Sequence, residues 1–390
     1  MKRTKSKSKL SNFIFVTVTV LLAALMAFSF CYGAIKSVAS LVHADVSTSA
    51  KAMCLIEASS GRVLVEKNSN ASLPMASTTK IMTAITALDN CENIDEVFEV
   101  SPKAIGVPGT SLYLRKGEKH SLRDLLYGLM LVSGNDASVA IGEHVSGSVE
   151  HFVDQMNFTA HRLGLKHTHF ENTHGLDEEG HYTSAYDLAK IAAYALENPV
   201  FKEIVSTQNK KITSADGKDR YLANKNKLLR TFDGAIGVKT GFTDDAGRCL
   251  VSAAERDGMR LICVVLNCGP MFEDCARLLE WGFENYKMYD LTQKVEFYPE
   301  LVVEGGEKQS VKIGHNHTFM YPLADWELDK ISTNVQIVPS LKPVLKAGSE
   351  VGKFEILFDK ELLFSGNIVT MEDVKARSFE QRIFDILDQW

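Results

Sequence analysis

Ser77-Thr78-Thr79-Lys80 sets a hydroxyl and an amine three residues apart, just ahead of the apolar-periodic run Ile81-Met82-Thr83-Ala84-Ile85. Residues three apart share a helix face, so Lys80 reaches the Ser77 hydroxyl. A serine hydroxyl is a poor nucleophile until a base takes its proton. Lysine serves as that base when a desolvated or cationic setting depresses its pKa. A helix start adds free N–H groups and the positive end of the dipole, both of which favour negative charge developing there. Taken alone, Ser-x-x-Lys recurs by chance, and Ser77 reads more simply as a helix N-cap.

Two further groupings bear on the same chemistry. Ser133-Gly134-Asn135 interrupts the helical runs 125–131 and 137–145. A small polar loop there can project a hydroxyl and an amide into a cleft, Ser133 relaying a proton between Lys80 and a leaving amine, Asn135 holding a substrate amide. By itself it is a turn between helices. Lys239-Thr240-Gly241 lies in the strand-like stretch 234–243. Its glycine lets a substrate backbone approach, and Lys239 and Thr240 can hold a carboxylate by charge and hydrogen bonding. The Phe242 N–H, beside that of Ser77, can supply an oxyanion donor. The bland reading is an edge strand with a solvated lysine. The three groupings occur once each, in this order, 56 and 106 residues apart, at a helix start, an interhelical loop and a strand.

The elements that must position them follow from periodicity. Residues 52–66 read as two short strands around Ser59-Ser60-Gly61. Helical patterns cover about 78–89, 122–131, 136–146, 149–163, 184–195 and 198–204, strands return at about 234–242, 247–255 and 259–267, and a helix covers about 271–285. Strands at both ends with helices between them predict one sheet built from both ends of the domain and packed on a helical cluster, an α+β arrangement. From about residue 288 short strand-like runs appear at 294–297, 301–303, 310–313, 318–321, 335–338 and 354–358, which predicts a small all-β domain, sandwich-like, over 288–371. Residues 372–390 read as an amphipathic helix with Phe379, Ile383, Phe384, Ile386, Leu387 and Trp390 on one face. Such a helix lies on a membrane or packs on protein.

Residues 1–44 carry six Lys and Arg, no acidic residue, an apolar stretch from Phe13 to about Ile35 and a small-x-small ending at Val42-His43-Ala44. This is either a cleaved signal peptide or a retained signal anchor. Either one exports the remainder, which begins the catalytic domain expected over 45–287. Setting the leader's six aside leaves 37 Lys and Arg against 49 Asp and Glu, a formal net charge of −12. That balance argues against a nucleic-acid partner. Of seven cysteines none shows CxxC spacing, so neither a zinc ribbon nor a dithiol redox motif is indicated. No cofactor is called for.

With these motifs in place the sequence resembles the D-alanyl-D-alanine carboxypeptidases among the low-molecular-mass penicillin-binding proteins. The resemblance runs from about Ala52 to Tyr286. It includes Met75-Ala76-Ser77-Thr78-Thr79-Lys80-Ile81-Met82-Thr83, Phe170-Glu171-Asn172-Thr173-His174-Gly175-Leu176-Asp177, Thr183-Ser184-Ala185-Tyr186-Asp187-Leu188-Ala189 and Gly237-Val238-Lys239-Thr240-Gly241-Phe242-Thr243. It implies a β-lactamase/transpeptidase-like catalytic domain and a β-rich C-terminal domain that holds it off the membrane. It implies removal of the terminal D-alanine from peptidoglycan stem peptides ending in D-Ala-D-Ala, and acylation by β-lactams. Carried over, Ser77 is the nucleophile and Lys80 the base, and Ser133 and Asn135 complete the proton and amide network. Lys239, Thr240 and Gly241 bind the carboxylate end. Arg260 is a candidate for an added carboxylate contact or, equally, a structural ion-pair partner.

Rival readings differ in chemistry. A D,D-endopeptidase shares the motifs. A serine β-lactamase usually has an acidic residue where Gly134 stands, and a dedicated Glu for deacylation that is not identifiable here. A metal-dependent peptidase would draw on His167, His169, His174 and His181 or on His315 and His317, but no HExxH is present. A non-catalytic scaffold has no need to keep Ser77 and Lys80 together.

Overall fold

The computed structural model describes residues 47–380 and 383; the leader expected over 1–44 lies outside them. β1 (Ala52–Glu57) and β2 (Val63–Lys67) form a hairpin, and a 3₁₀ turn at Ala76–Thr79 leads directly into α1 (Lys80–Asn90). A short ribbon, β3 (Val97–Glu99) with β4 (Lys119–Ser121), precedes α2 (Leu122–Tyr127), α3 (Asn135–Ser146), α4 (Val149–Arg162), α5 (Ala185–Leu196) and α6 (Pro199–Ser206). The helix starts are written in the sequence. Ser121, Ser148 and Ser184 each accept an N–H from three residues on, and Asn198 caps a helix whose first residue is Pro199.

The hairpin β5 (Asn209–Thr213) and β6 (Asp219–Ala223) was not expected from sequence; a four-residue helix, α7 (Leu228–Thr231), follows it. Then come β7 (Ala235–Thr243), β8 (Gly247–Arg256), β9 (Met259–Leu266) and α8 (Met271–Asn285). The main sheet is antiparallel throughout, in the order β2-β1-β9-β8-β7, so the two ends of the domain do close one sheet. Alternate residues serve opposite faces. Cys54, Ile56, Ile262 and Val264 join the core of the helical cluster. Leu55 and Leu261 instead meet α8 at Gly282, where an added Cβ would lie 3.1 and 2.5 Å from them. Cys263 meets Cys275 of α8 with sulfurs 3.6 Å apart. A sheet covered on both faces reads as continuous apolar runs, as β1 and β9 do.

The C-terminal part is all-β. β10 (Lys287–Asp290) pairs with β13 (Met320–Leu323). β11 (Glu300–Val302), β12 (Ser310–Gly314), β14 (Ile331–Ile337), β15 (Glu350–Phe358) and β16 (Glu361–Thr370) form a second sheet in the order β11-β12-β16-β15-β14. The strand expected at 294–297 is absent; Leu291–Lys294 is a 3₁₀ turn. The helix expected over 372–390 starts no earlier than 379, because Val374 bridges Leu345 and Ala376 bridges Gly306, tying this segment to the β-rich unit. Of its remainder, 381–382 and 384–390 lie outside the described residues. Among the described residues no helix is long and apolar enough to cross a membrane.

Arg62, at the start of β2's side of the hairpin turn, fastens the two parts. Its guanidinium donates to the Pro322 carbonyl at 2.5 Å and to Glu327 Oε1 at 2.6 Å, and lies within 5.4 Å of the ring centres of Tyr286, Tyr321 and Phe358. Glu327 is 2% exposed, so removing Arg62 leaves a buried side chain without its ion-pair partner. Arg62→Ala is expected to cost about 3 kcal/mol, as for breaking a buried pair from one side. The check is urea unfolding together with limited proteolysis of the junction at 286–290; unchanged unfolding and cleavage would refute it.

Candidate active site

The Ser77 turn is built by strain and close packing. Ala76 has φ +49, a left-handed value rarely taken by a residue with a side chain. Ser77 therefore stands half-exposed at the mouth of α1, and it is not an N-cap, since neither the 3₁₀ turn nor α1 is capped by a side chain. Lys80, the first residue of α1, is fully buried. Its Nζ lies 3.0 Å from Ser77 Oγ, 2.7 Å from Asn135 Oδ1 and 2.6 Å from the His174 carbonyl oxygen. Burial, then the charges of Lys239 and Lys225, push its pKa well below the usual lysine range, against a smaller opposing pull from Asp136.

Ser133 ends a π-helical turn at Gly128–Val132 and has φ +68; such turns concentrate at functional sites. Its Oγ is buried and has no hydrogen-bond partner among the described residues. At Gly134 a Cβ would lie 2.9 Å from Asp136 Oδ1 and 3.3 Å from Leu112, so an acidic side chain has no room there. Asn135 also donates to the Pro108 carbonyl at 2.6 Å. Asp136, which sequence reasoning passed over, ties the adjoining loop down by accepting from the N–H groups of Leu112 and Leu114 and from Ser111 Oγ.

β7 runs beside the Ser77 turn. At Gly241 a Cβ would fall 3.1 Å from the Met75 carbonyl oxygen and 3.2 Å from the Ser77 nitrogen, which is why glycine stands there. Lys239 is buried, with Nζ 2.8 Å from the Thr240 carbonyl oxygen, and burial and then Lys225 pull its pKa down to about 7. Thr240 is half-buried and Phe242 exposed. Lys225, on the segment after β6, was not singled out from sequence; its charge acts on both buried lysines.

The structure thus brings Ser77, Lys80, Asn135 and the Lys239–Phe242 strand end together, with Ser133 on the loop that carries Asn135. It does not bring Arg260. That residue pairs across with Glu255 at the far end of β8 and β9, and its guanidinium is held by Glu197 at 2.7 Å and Glu255 at 3.1 Å. Lys239 pairs with Val251, which pairs with Val264, so Arg260 sits four residues further along the next strand but one, about 13 Å in rise alone. Its ion-pair alternative is the one observed. Among the described residues no cluster of three His, Cys, Asp or Glu could hold a metal ion.

Comparison with known proteins agrees with this geometry. Residues 38–269 match the family model described as D-alanyl-D-alanine carboxypeptidase, and residues 283–376 match the C-terminal domain of penicillin-binding protein 5. The chain is 30% identical over 381 residues to D-alanyl-D-alanine carboxypeptidase DacF of Bacillus subtilis (strain 168), covering 96% of this chain and 98% of that one. It is 32% identical over 381 residues to D-alanyl-D-alanine carboxypeptidase DacC of Escherichia coli (strain K12), covering 94% of each. Among solved structures, penicillin binding protein 5 from Haemophilus influenzae superposes with a TM-score of 0.68 at 29% identity, over 84% of this chain and 98% of that one. With its fold, its motif order and the matched span in agreement, this chain belongs to the D-alanyl-D-alanine carboxypeptidase family.

Proposed function

We propose that this serine carboxypeptidase forms its acyl-enzyme on Ser77 with Lys80 as general base. The observation that carries the reading is the set of three oxygens around Lys80 Nζ. A neutral amine has two N–H groups and one lone pair. The Asn135 Oδ1 and His174 carbonyl oxygens can only accept, so they use both N–H groups. The lone pair is left for the Ser77 hydroxyl. Burial, followed by the charges of Lys239 and Lys225, lowers the pKa of Lys80 and so favours that form over what an ordinary lysine would show.

In this reading Ser77 Oγ attacks the carbonyl between two D-alanines, and Lys80 takes its proton. Negative charge on the carbonyl oxygen is met by the Ser77 and Phe242 N–H groups. Ser133 passes the proton to the departing D-alanine amine. Lys239 and Thr240 hold the substrate's terminal carboxylate, and Gly241 allows β7 to lie beside it. Water then releases the shortened stem peptide from Ser77. The substrate is a peptidoglycan stem ending in D-Ala-D-Ala, and β-lactams acylate the same serine. The catalytic domain is taken as 45–287 and the β-rich domain as 288–371, the latter extended by the bridges at 374 and 376. Export to the outer face of the cell membrane rests on the leader of residues 1–44. Membrane contact by the terminal helix rests on the sequence pattern of 379–390 alone.

The test is D-alanine release from a diacyl-L-lysyl-D-alanyl-D-alanine peptide, with mass spectrometry of the penicillin adduct. Release, and an adduct on the peptide that contains Ser77, support the reading; a folded protein that does neither refutes it. The pH profile is a second check. Lys239 must be charged to hold a carboxylate, and with a pKa of about 7 it loses its proton as pH rises through that value. The expected result is kcat/KM falling above about pH 7 with a slope approaching −1, and Lys239→Arg moving that limb upward because guanidinium keeps its charge. A limb that Lys239→Arg leaves in place would refute the assignment.

A further inference from the structure

The loop between β-bridged His169 and Tyr182 packs on the Ser77 turn, yet its buried histidine has no part in the chemistry above. His181 Nδ1 accepts the Glu171 N–H at 3.0 Å. A ring nitrogen that accepts carries no proton, so the imidazole is neutral and its proton sits on Nε2. Nε2 lies 2.8 Å from Thr79 Oγ1. Thr79 Oγ1 in turn lies 2.9 Å from the Ala76 carbonyl oxygen, to which it gives its one proton. The chain of donation therefore has a single direction, from His181 Nε2–H to Thr79 Oγ1 and from Thr79 Oγ1–H to Ala76 O.

The Ala76 carbonyl shares a rigid peptide plane with the Ser77 N–H, and the two point in opposite directions. Fixing the carbonyl fixes the aim of the N–H. That plane follows a residue at φ +49, a conformation that persists only where its surroundings hold it. We infer that His181 is a positioning residue for acylation: acting through Thr79, it locks the Ala76–Ser77 peptide plane so that the Ser77 N–H faces the developing oxyanion. This rests on the reading of the Ser77 N–H as an oxyanion donor.

The surroundings of His181 suit a neutral ring. Phe170 meets it edge-on at 5.9 Å. His174, His169 and Lys80 all oppose a second proton, and with burial as the leading cause its pKa falls to about 4. The nearby carboxylates are engaged elsewhere, Glu171 with His169 at 3.2 Å and Glu178 with Asn172 at 3.0 Å.

The experiment measures acylation by a fluorescent penicillin, separating the first-order acylation step from non-covalent affinity, in the full chain and in His181→Leu, His181→Gln, Thr79→Val and the Leu/Val double variant. Leu removes the donor, whereas Gln returns an N–H at a similar reach. The expected result is a 10- to 100-fold slower acylation step in His181→Leu and in Thr79→Val, roughly what misaiming one oxyanion donor costs. Affinity stays within about threefold, the double variant is no slower than either single one, and Gln recovers most of the loss. Thr79→Val carries the test if His181→Leu does not fold. Thr79→Val acylating at the parental rate, losses that multiply in the double variant, or losses confined to affinity would overturn the inference while leaving Ser77 as nucleophile. A parent that acquires no acyl group on Ser77 would overturn both readings together.

Discussion

Ser77→Ala is expected to release no measurable D-alanine and to take up no penicillin, a loss of about 10⁵-fold or more, and Lys80→Ala is expected to come close to it. Groups that act as one unit are strongly non-additive. Without the hydroxyl, Lys80 has no proton to take. Without the amine, a serine with an ordinary hydroxyl pKa attacks too slowly to matter. The double variant should therefore be no worse than Ser77→Ala alone. Among the described residues the Ser77 side chain makes a single hydrogen bond, with Lys80 Nζ, so Ser77→Ala should unfold within a few degrees of the parent and the loss cannot be ascribed to collapse. Residual release by the Lys80→Ala chain within tenfold of the parent would show that another group acts as base.

Gly175→Ala is expected to be nearly as damaging, by a different route. A Cβ at Gly175 would lie 1.9 Å from the Ala76 carbonyl oxygen, 2.5 Å from its carbon and 2.8 Å from Thr79 Oγ1, and the position has φ +87. Two left-handed turns, at Ala76 and at Gly175, are packed back to back, and neither has slack. Relief requires one of them to move. Moving the Ser77 turn by about an ångström costs on the order of 10²-fold in rate, and the clash with left-handed strain should lower stability by more than about 4 kcal/mol. Penicillin acylation and urea unfolding report the two losses separately. Gly106→Ala is the control. It also has positive φ, +76, but nothing lies within 4 Å of its Cβ, so it should cost about 1 kcal/mol and leave acylation alone. Equal behaviour of the two variants would remove close packing as the cause.

The chemistry was legible wherever it depended on residue type and short spacing. Ser77 and Lys80 are three apart, and the element each motif needed, a helix start, an interhelical loop and a strand, could be read from periodicity around it. Contacts made by distant segments were not legible. Thr79 and His181 are 102 residues apart in the chain, and nothing in Asn172-Thr173-His174-Gly175 announces which turn it will meet. Arg260 was open to two readings because a strand gives a residue's face but not its distance along a neighbouring strand. β16 was missed because Gly366 breaks its apolar run. A Cβ there would lie 2.6 Å from the Phe354 ring and 2.8 Å from His317, so the residue that spoils the pattern is the one that lets the β-rich core close. The terminal helix was extended too far back because residues 372–378 hold no Gly or Pro to end a helical pattern, and only the bridges to Leu345 and Gly306 place Val374 and Ala376 elsewhere.

The strand order β2-β1-β9-β8-β7 has a consequence for how the enzyme comes into being. Ser77, the proposed nucleophile, follows the second strand made, and Lys239, the proposed carboxylate-binding residue, lies on β7, which is joined within the sheet to β1 through β8 and β9. The sheet that holds Gly241 against Ser77 is complete only once residue 266 has been synthesised and β9 has paired with β1. Such long-range closure is slow relative to the local hairpin and helices. The lowered proton affinity of Lys80 comes from burial and from the charges of Lys239 and Lys225, so it depends on those segments having assembled around the serine. The acylating power proposed for the protein is thus a property of the assembled fold and not of the motif, so a partly made or partly unfolded chain would carry the motif residues without the surroundings that make Ser77 reactive.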